Sequence, residues 1–73
     1  MSNKAEYGML LSPREKECLQ LTARLGKTTL AAKKMGIEYT TAKVNLTRAR
    51  IKLGANSTIQ AAFIALDKGI IEY

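Results

Sequence analysis

Histidine is absent from the 73 residues, and cysteine occurs once, as Cys18. With no imidazole and one thiol, the chain lacks both the ligand set of a tetrahedral zinc site and a Ser-His-Asp triad, and it cannot close an internal disulfide. Cys18 stands between Glu17 and Leu19, where a helical pattern wants a small apolar residue, so it reads as a plain buried thiol. Tryptophan is missing too, and the aromatic residues are one Phe and three Tyr. Tyr7, Tyr39 and Tyr73 are too scattered to make the stacking platform of a single-strand binder. No paired carboxylates fall in a common motif, so neither an enzyme nor a cofactor nor a metal is expected. The longest apolar run of the opening "MSNKAEYGMLLS" is three residues. That is too short for a signal peptide or a membrane span, and the protein is expected to stay in the cytoplasm without a membrane partner.

What is present is a globular composition with an excess of positive charge. Hydrophobic residues make up 47% and charged residues 25%, a globular rather than a disordered composition. A chain of 73 residues makes one small domain, burying roughly 60% of its unfolded surface. Lys and Arg number 12 against 6 Asp and Glu, a net charge of +6, and such a balance points to an anionic partner, nucleic acid before acidic membrane.

The charge has a focus. No acid occurs between Glu38 and Asp67, and within that gap lies "KVNLTRARIKLG", with Lys43, Arg48, Arg50 and Lys52 among apolar residues. Ala42, Leu46, Ala49 and Leu53 recur at i, i+4, i+7 and i+11, which places them on one stripe of a helix. At about 100° per residue the opposite side carries Thr40, Lys43, Val44, Thr47, Arg48 and Ile51. An ordinary solvated helix mixes signs, because Glu and Lys at i and i+4 support each other. This face has one sign only.

Punctuation divides the chain into four helices and offers no strand candidate. "LSPRE" opens the first with Ser12 as N-cap, Pro13 at the first helical position and Glu15 three residues after the cap. Its stripe of Cys18, Leu19, Leu21, Thr22 and Leu25 runs to a stop at Gly26. Thr28 or Thr29 is expected to cap a short second helix, "LAAKKMG", ending at Gly36. After "GIEY" the third helix is expected from about Thr40 to Leu53, closed by Gly54. Ser57 and Gln60 have capping-box spacing for a fourth helix that reaches Lys68 before Gly69. Residues 1–10 lack any period and are expected to form a loosely held arm ahead of a domain over residues 11–73.

Two short helices joined by "GIEY", the second basic with its apolar stripe inward, describe a helix-turn-helix. In that motif the second helix enters the major groove with its N-terminal residues at the base edges. The groove, about 12 Å wide, wants slim or flexible side chains at the tip and cations on the flanks. Thr40, Lys43, Val44 and Thr47 suit the tip, and Arg48, Arg50 and Lys52 suit the flanks. "LSPREKECLQL", "AAKKMGI", "TTAKVNLTRARIKLG" and "STIQAAFIALDKGII" together resemble the LuxR-type DNA-binding domain, also called the GerE or FixJ/NarL type, over about residues 11 to 71. The resemblance implies an all-α, four-helix domain with a central helix-turn-helix and a C-terminal dimerisation helix. It implies that Lys43, Val44 and Thr47 face bases, that Thr41, Arg48 and Lys52 lie near the backbone, and it makes Thr28 and Thr29 candidate backbone contacts. The chain departs from the pattern at Glu38, where Ser usually caps the third helix, and at Ala42, Asn45 and Ala31, where Val, His and Ile are usual. "GKTT" also falls one residue later than the family's Gly-x-Thr.

The fourth helix, "TIQAAFIALDKGII", is apolar around most of its circumference, whereas a surface helix in a monomer shows one stripe. By the family pattern Ala61, Ala62, Ala65 and Leu66 face inward. Phe63 and Ile64 are then expected outward near Gln60 and Asp67, forming a two-fold homodimer contact. The expected function is a transcriptional regulator that binds double-stranded DNA as a dimer on a roughly palindromic promoter site. RNA polymerase or a related regulator is a further candidate partner, and no small-molecule ligand is expected. Two alternatives remain open: a module like region 4 of a sigma factor, which "TRARIKL" also resembles, and an antagonist that sequesters a related regulator through helix four.

Overall fold

A computed structural model describes residues 10–73. The expected arm, Tyr7 included, lies outside the described residues except for the exposed Leu10. The described residues form four helices and no strand: α1 (Pro13–Leu25), α2 (Thr28–Met35), α3 (Tyr39–Lys52) and α4 (Thr58–Asp67). The expected all-α, four-helix architecture is the observed one.

Each boundary has a local cause. Ser12 is extended, its hydroxyl accepts from the Glu15 amide at 3.1 Å, and its own amide donates to Glu15 Oε1 at 3.0 Å. This reciprocal box, with Pro13 where an amide proton would have no partner, starts α1 where the sequence signals place it. The left-handed turn at Gly26 leaves only Lys27 extended before helical geometry resumes. Lys27 therefore takes the cap position of α2 without a side-chain hydrogen bond, and Thr28 and Thr29, the two expected caps, are already helical. α3 likewise begins one residue before expectation, at Tyr39, with Glu38 as a cap that makes no side-chain bond. At α4 the Ser57 hydroxyl accepts from the Gln60 amide at 3.0 Å, but the Gln60 side chain accepts from Asn56 rather than from Ser57, so the box is offset by one residue.

The exits of α2, α3 and α4 share one device. After α3, Gly54 has φ of 70°, its amide donates to Ile51 O at 3.0 Å, and the Ala55 amide reaches back to Arg50 O at 2.9 Å. These are the paired bonds of a Schellman motif, which needs a left-handed residue that glycine adopts without a Cβ penalty. Open space surrounds the missing Cβ, so a substitution here would strain the backbone and not the packing. The same pair of bonds ends α2 at Gly36 and α4 at Gly69, and the apolar residue that follows each glycine, Ile37, Ala55 or Ile70, turns into or against the core.

α1 packs on all three other helices, and α3 packs on α2 and α4. The predicted stripe of α3 is the centre of the core: Ala42, Leu46, Ala49 and Leu53 are buried against Cys18 and Leu19 of α1 and Ala61 and Ala65 of α4. Ala42, Ala49, Ala61 and Ala65 are fully buried, so the helices meet at close range, and larger side chains there would cost about 1–3 kcal/mol in strain. Leu25 departs from its expected stripe and is exposed, while Ala23 packs on the core. Beyond α4, Ile70 and Ile71 are buried, and Glu72 is clipped to α1: its amide donates to Gln20 Oε1 at 3.0 Å while its carbonyl accepts from Gln20 Nε2.

Candidate nucleic-acid interface

The stripe that buries α3 also determines what the helix offers to solvent. With Ala42, Leu46 and Ala49 fixed in the core, Thr40, Lys43, Val44, Thr47, Arg48 and Ile51 are all exposed. Val44 and Ile51, at 48% and 63% exposure, are not core residues in disguise. Thr40, Lys43, Val44, Thr47 and Arg48 line one shallow concavity along the helix. The Lys43 ammonium stands 5.6 Å from the centroid of the Tyr39 ring one turn earlier, a cation–π arrangement that steers the lysine along the face. Thr41 is exposed beside this face, and its carbonyl accepts from Asn45 Nδ2 at 3.2 Å. On α2, Thr29 is exposed and Thr28 half-buried, both in the first turn, which no side chain caps.

The four cations of α3 divide into two pairs. Lys43 and Arg48 are exposed and make no ion pair or hydrogen bond among the described residues. Arg50 is half-buried and donates from Nη1 to Ala55 O at 3.1 Å, which holds the turn after α3. Lys52 turns back to α1, placing Nζ 2.8 Å from Glu15 Oε1. Burial by itself pushes the Glu15 carboxyl up, but the Lys52 ammonium and the Ser12 amide more than offset it, and its pKa lies below the ordinary 4.5. Two of the three flanking cations expected at the DNA backbone, Arg50 and Lys52, are thus engaged within the fold. Charge counting along the sequence cannot detect this, because Glu15 lies 37 residues away.

Helix α4 departs from expectation in phase. Ala61 and Ala65 are fully buried, Ala62 and Leu66 pack on the core, and Phe63 is 67% exposed as expected, with Gln60 and Asp67 exposed beside it. Ile64, expected outward, is half-buried against the core. The second large outward residue is Ile59, 70% exposed, one turn before Phe63. The i, i+4 spacing of Ile59 and Phe63 was the available signal. Both border an apolar hollow of about 340 Å³ between α1 and α4, with Leu19, Ala23 and Tyr73 on its other sides.

Cys18 behaves as the plain thiol expected of it. Burial raises its pKa, and its Sγ donates to Ala42 O at 3.5 Å, which leaves it without the thiolate character of a reactive cysteine. Among the described residues no His, Cys, Asp or Glu cluster could hold a metal ion, and no helix is long and apolar enough to cross a membrane.

A family model described as bacterial regulatory proteins, luxR family, matches residues 9–65, well over half of the chain. Neither a curated protein nor a solved structure matches it.

Proposed function

The chain belongs to the luxR family of bacterial regulatory proteins, DNA-binding regulators with a helix-turn-helix, and from that premise we propose that it reads a two-fold related promoter site as a homodimer through α3. In this reading α2 and α3 are the helix-turn-helix of a domain over residues 11–73, and α3 lies in the major groove. Thr40, Lys43, Val44 and Thr47 are directed at base edges, Val44 at a thymine methyl and Lys43 at a guanine on the groove floor or a phosphate on the groove rim. Arg48 and Thr41 lie beside the sugar-phosphate backbone, as do Thr28 and Thr29 from α2. Arg50 and Lys52 are left out of the contact set because both are bonded within the fold.

The observation that carries the reading is the exposed face of α3, which combines Lys43 and Arg48 without an ion pair among the described residues, slim Thr and Val side chains, and no carboxylate. A polyanion meets attraction everywhere on it and repulsion nowhere. The dimer is supported by Ile59 and Phe63, large apolar side chains that a single copy leaves in water. Pairing α4 with its two-fold mate would cover them and set two α3 helices about 34 Å apart, one turn of DNA.

Selection of bound duplexes from a random pool tests the proposal and yields the site. On the selected duplex, Lys43→Ala is expected to weaken binding by about 1–3 kcal/mol. Its melting temperature should stay that of the parent, since the side chain is exposed. Selection that enriches no sequence, or a Lys43→Ala protein with full affinity, would refute the proposal. Capture of a related regulator without any DNA binding would favour the antagonist instead.

A further inference from the structure

Lys52 and Glu15 join two places that have no sequence proximity, the last turn of the DNA-facing helix and the first turn of α1. Glu15 Oε1 receives two donors, the Lys52 ammonium at 2.8 Å and the Ser12 amide at 3.0 Å. The carboxylate side chain is 5% exposed and the lysine side chain 37%. No other cation pairs with Glu15 among the described residues. A buried carboxylate that loses its counter-ion is left with an uncompensated charge, a far larger penalty than the loss of an exposed pair. A phosphate competing for Lys52 would have to meet that penalty, whereas a phosphate meeting Lys43 or Arg48 breaks no ion pair among the described residues.

We propose that Glu15 is a positioning residue for the DNA contact: it retains Lys52 as an internal brace between α1 and α3, so that α3 neutralises phosphates through Lys43 and Arg48 and not through Lys52. The inference rests on the reading of α3 as the DNA-facing helix. Arg50, held to Ala55 O, extends the same division of labour, since the last-turn cations Arg50 and Lys52 secure the helix while Lys43 and Arg48 before them meet the ligand. Withholding a cation lowers the sequence-independent part of the affinity without touching the base-reading tip.

The salt dependence of binding separates a brace from a contact, because each phosphate neutralised contributes about 0.9 to the log–log slope. The full chain is titrated with a short duplex of random sequence between about 50 and 200 mM salt. K43M and R48M are each expected to reduce the slope by about 0.9 per subunit, and K52M is expected to leave it unchanged while lowering the melting temperature. E15Q keeps an acceptor for the Ser12 amide but gives up the charge, and is expected to steepen the slope by up to about 0.9 per subunit as Lys52 becomes free to reach a phosphate. Because K52M strands a buried carboxylate and can unfold the domain, E15Q/K52M carries the same comparison with no charge left unpaired, and it should show the parental slope. A slope that falls in K52M or in E15Q/K52M as far as in K43M overturns the brace. Slopes unmoved by K43M and R48M would instead remove the DNA-facing assignment of α3, and the inference with it.

Discussion

Replacing Phe63 by Glu tests whether two copies pair through α4. Full burial of a phenylalanine is worth about 1.5–3 kcal/mol, and Phe63 has 67% of its surface still in water, so roughly 1–2 kcal/mol per copy is available to an interface. A two-fold contact uses each residue twice, so Phe63→Glu removes about 2–4 kcal/mol from the dimer. At about 1.4 kcal/mol per tenfold, the dissociation constant rises by between one and three powers of ten. Two carboxylates facing across the axis add repulsion. The monomer should barely notice: at an exposed position the change falls within about 0.5 kcal/mol, aside from a few tenths from the like charge of Asp67 at i+4. Sedimentation velocity over a concentration series reads the association, and a thermal melt at a concentration that keeps both proteins monomeric reads the fold. Parental association in a folded Phe63→Glu protein would refute pairing through this face, as would a parent that stays monomeric at every concentration and on a full two-fold site.

Ile64→Glu should behave in the opposite way. Because Ile64 packs on the core, a charge there is expected to destabilise the monomer itself by about 2 kcal/mol, and an unchanged denaturation midpoint would show that the side chain turns outward. Acidification should weaken the fold through Glu15. Its folded pKa lies below 4.5, so the unfolded chain takes up the proton first, and the stabilisation present at neutral pH is lost as pH falls from about 4.5 through the lower folded value. Urea midpoints measured across that window should fall less steeply in Glu15→Gln than in the parent, and equal slopes would remove Glu15 from the account.

Much of the fold was legible because its causes act within one helical turn. Ser12 and Glu15 satisfy each other's amides three residues apart, Pro13 between them has no amide proton to satisfy, and Gly26, Gly36, Gly54 and Gly69 each take the left-handed turn that ends a helix. The exposed face of α3 was legible for a related reason, since Ala42, Leu46, Ala49 and Leu53 define one narrow stripe and everything opposite must face water. Where local signals were weak the boundaries moved: with Lys27 and Glu38 making no cap bond, α2 began one or two residues and α3 one residue before expectation.

Helix α4 shows the limit of periodicity. A helix apolar on nearly all sides has no unique stripe, so its sequence could not say whether Ile64 or Ile59 would stay in water, and only the placement of α1 and α3 against Ala61 and Ala65 set the phase. The charges of α3 show a second limit. The sequence determined their sign and the face they share, because those follow from residue type and a period of 3.6. Their partners were decided by tertiary structure alone, since Glu15 meets Lys52 across 37 residues, as Gln20 meets Glu72 across 52, only after the helices have packed.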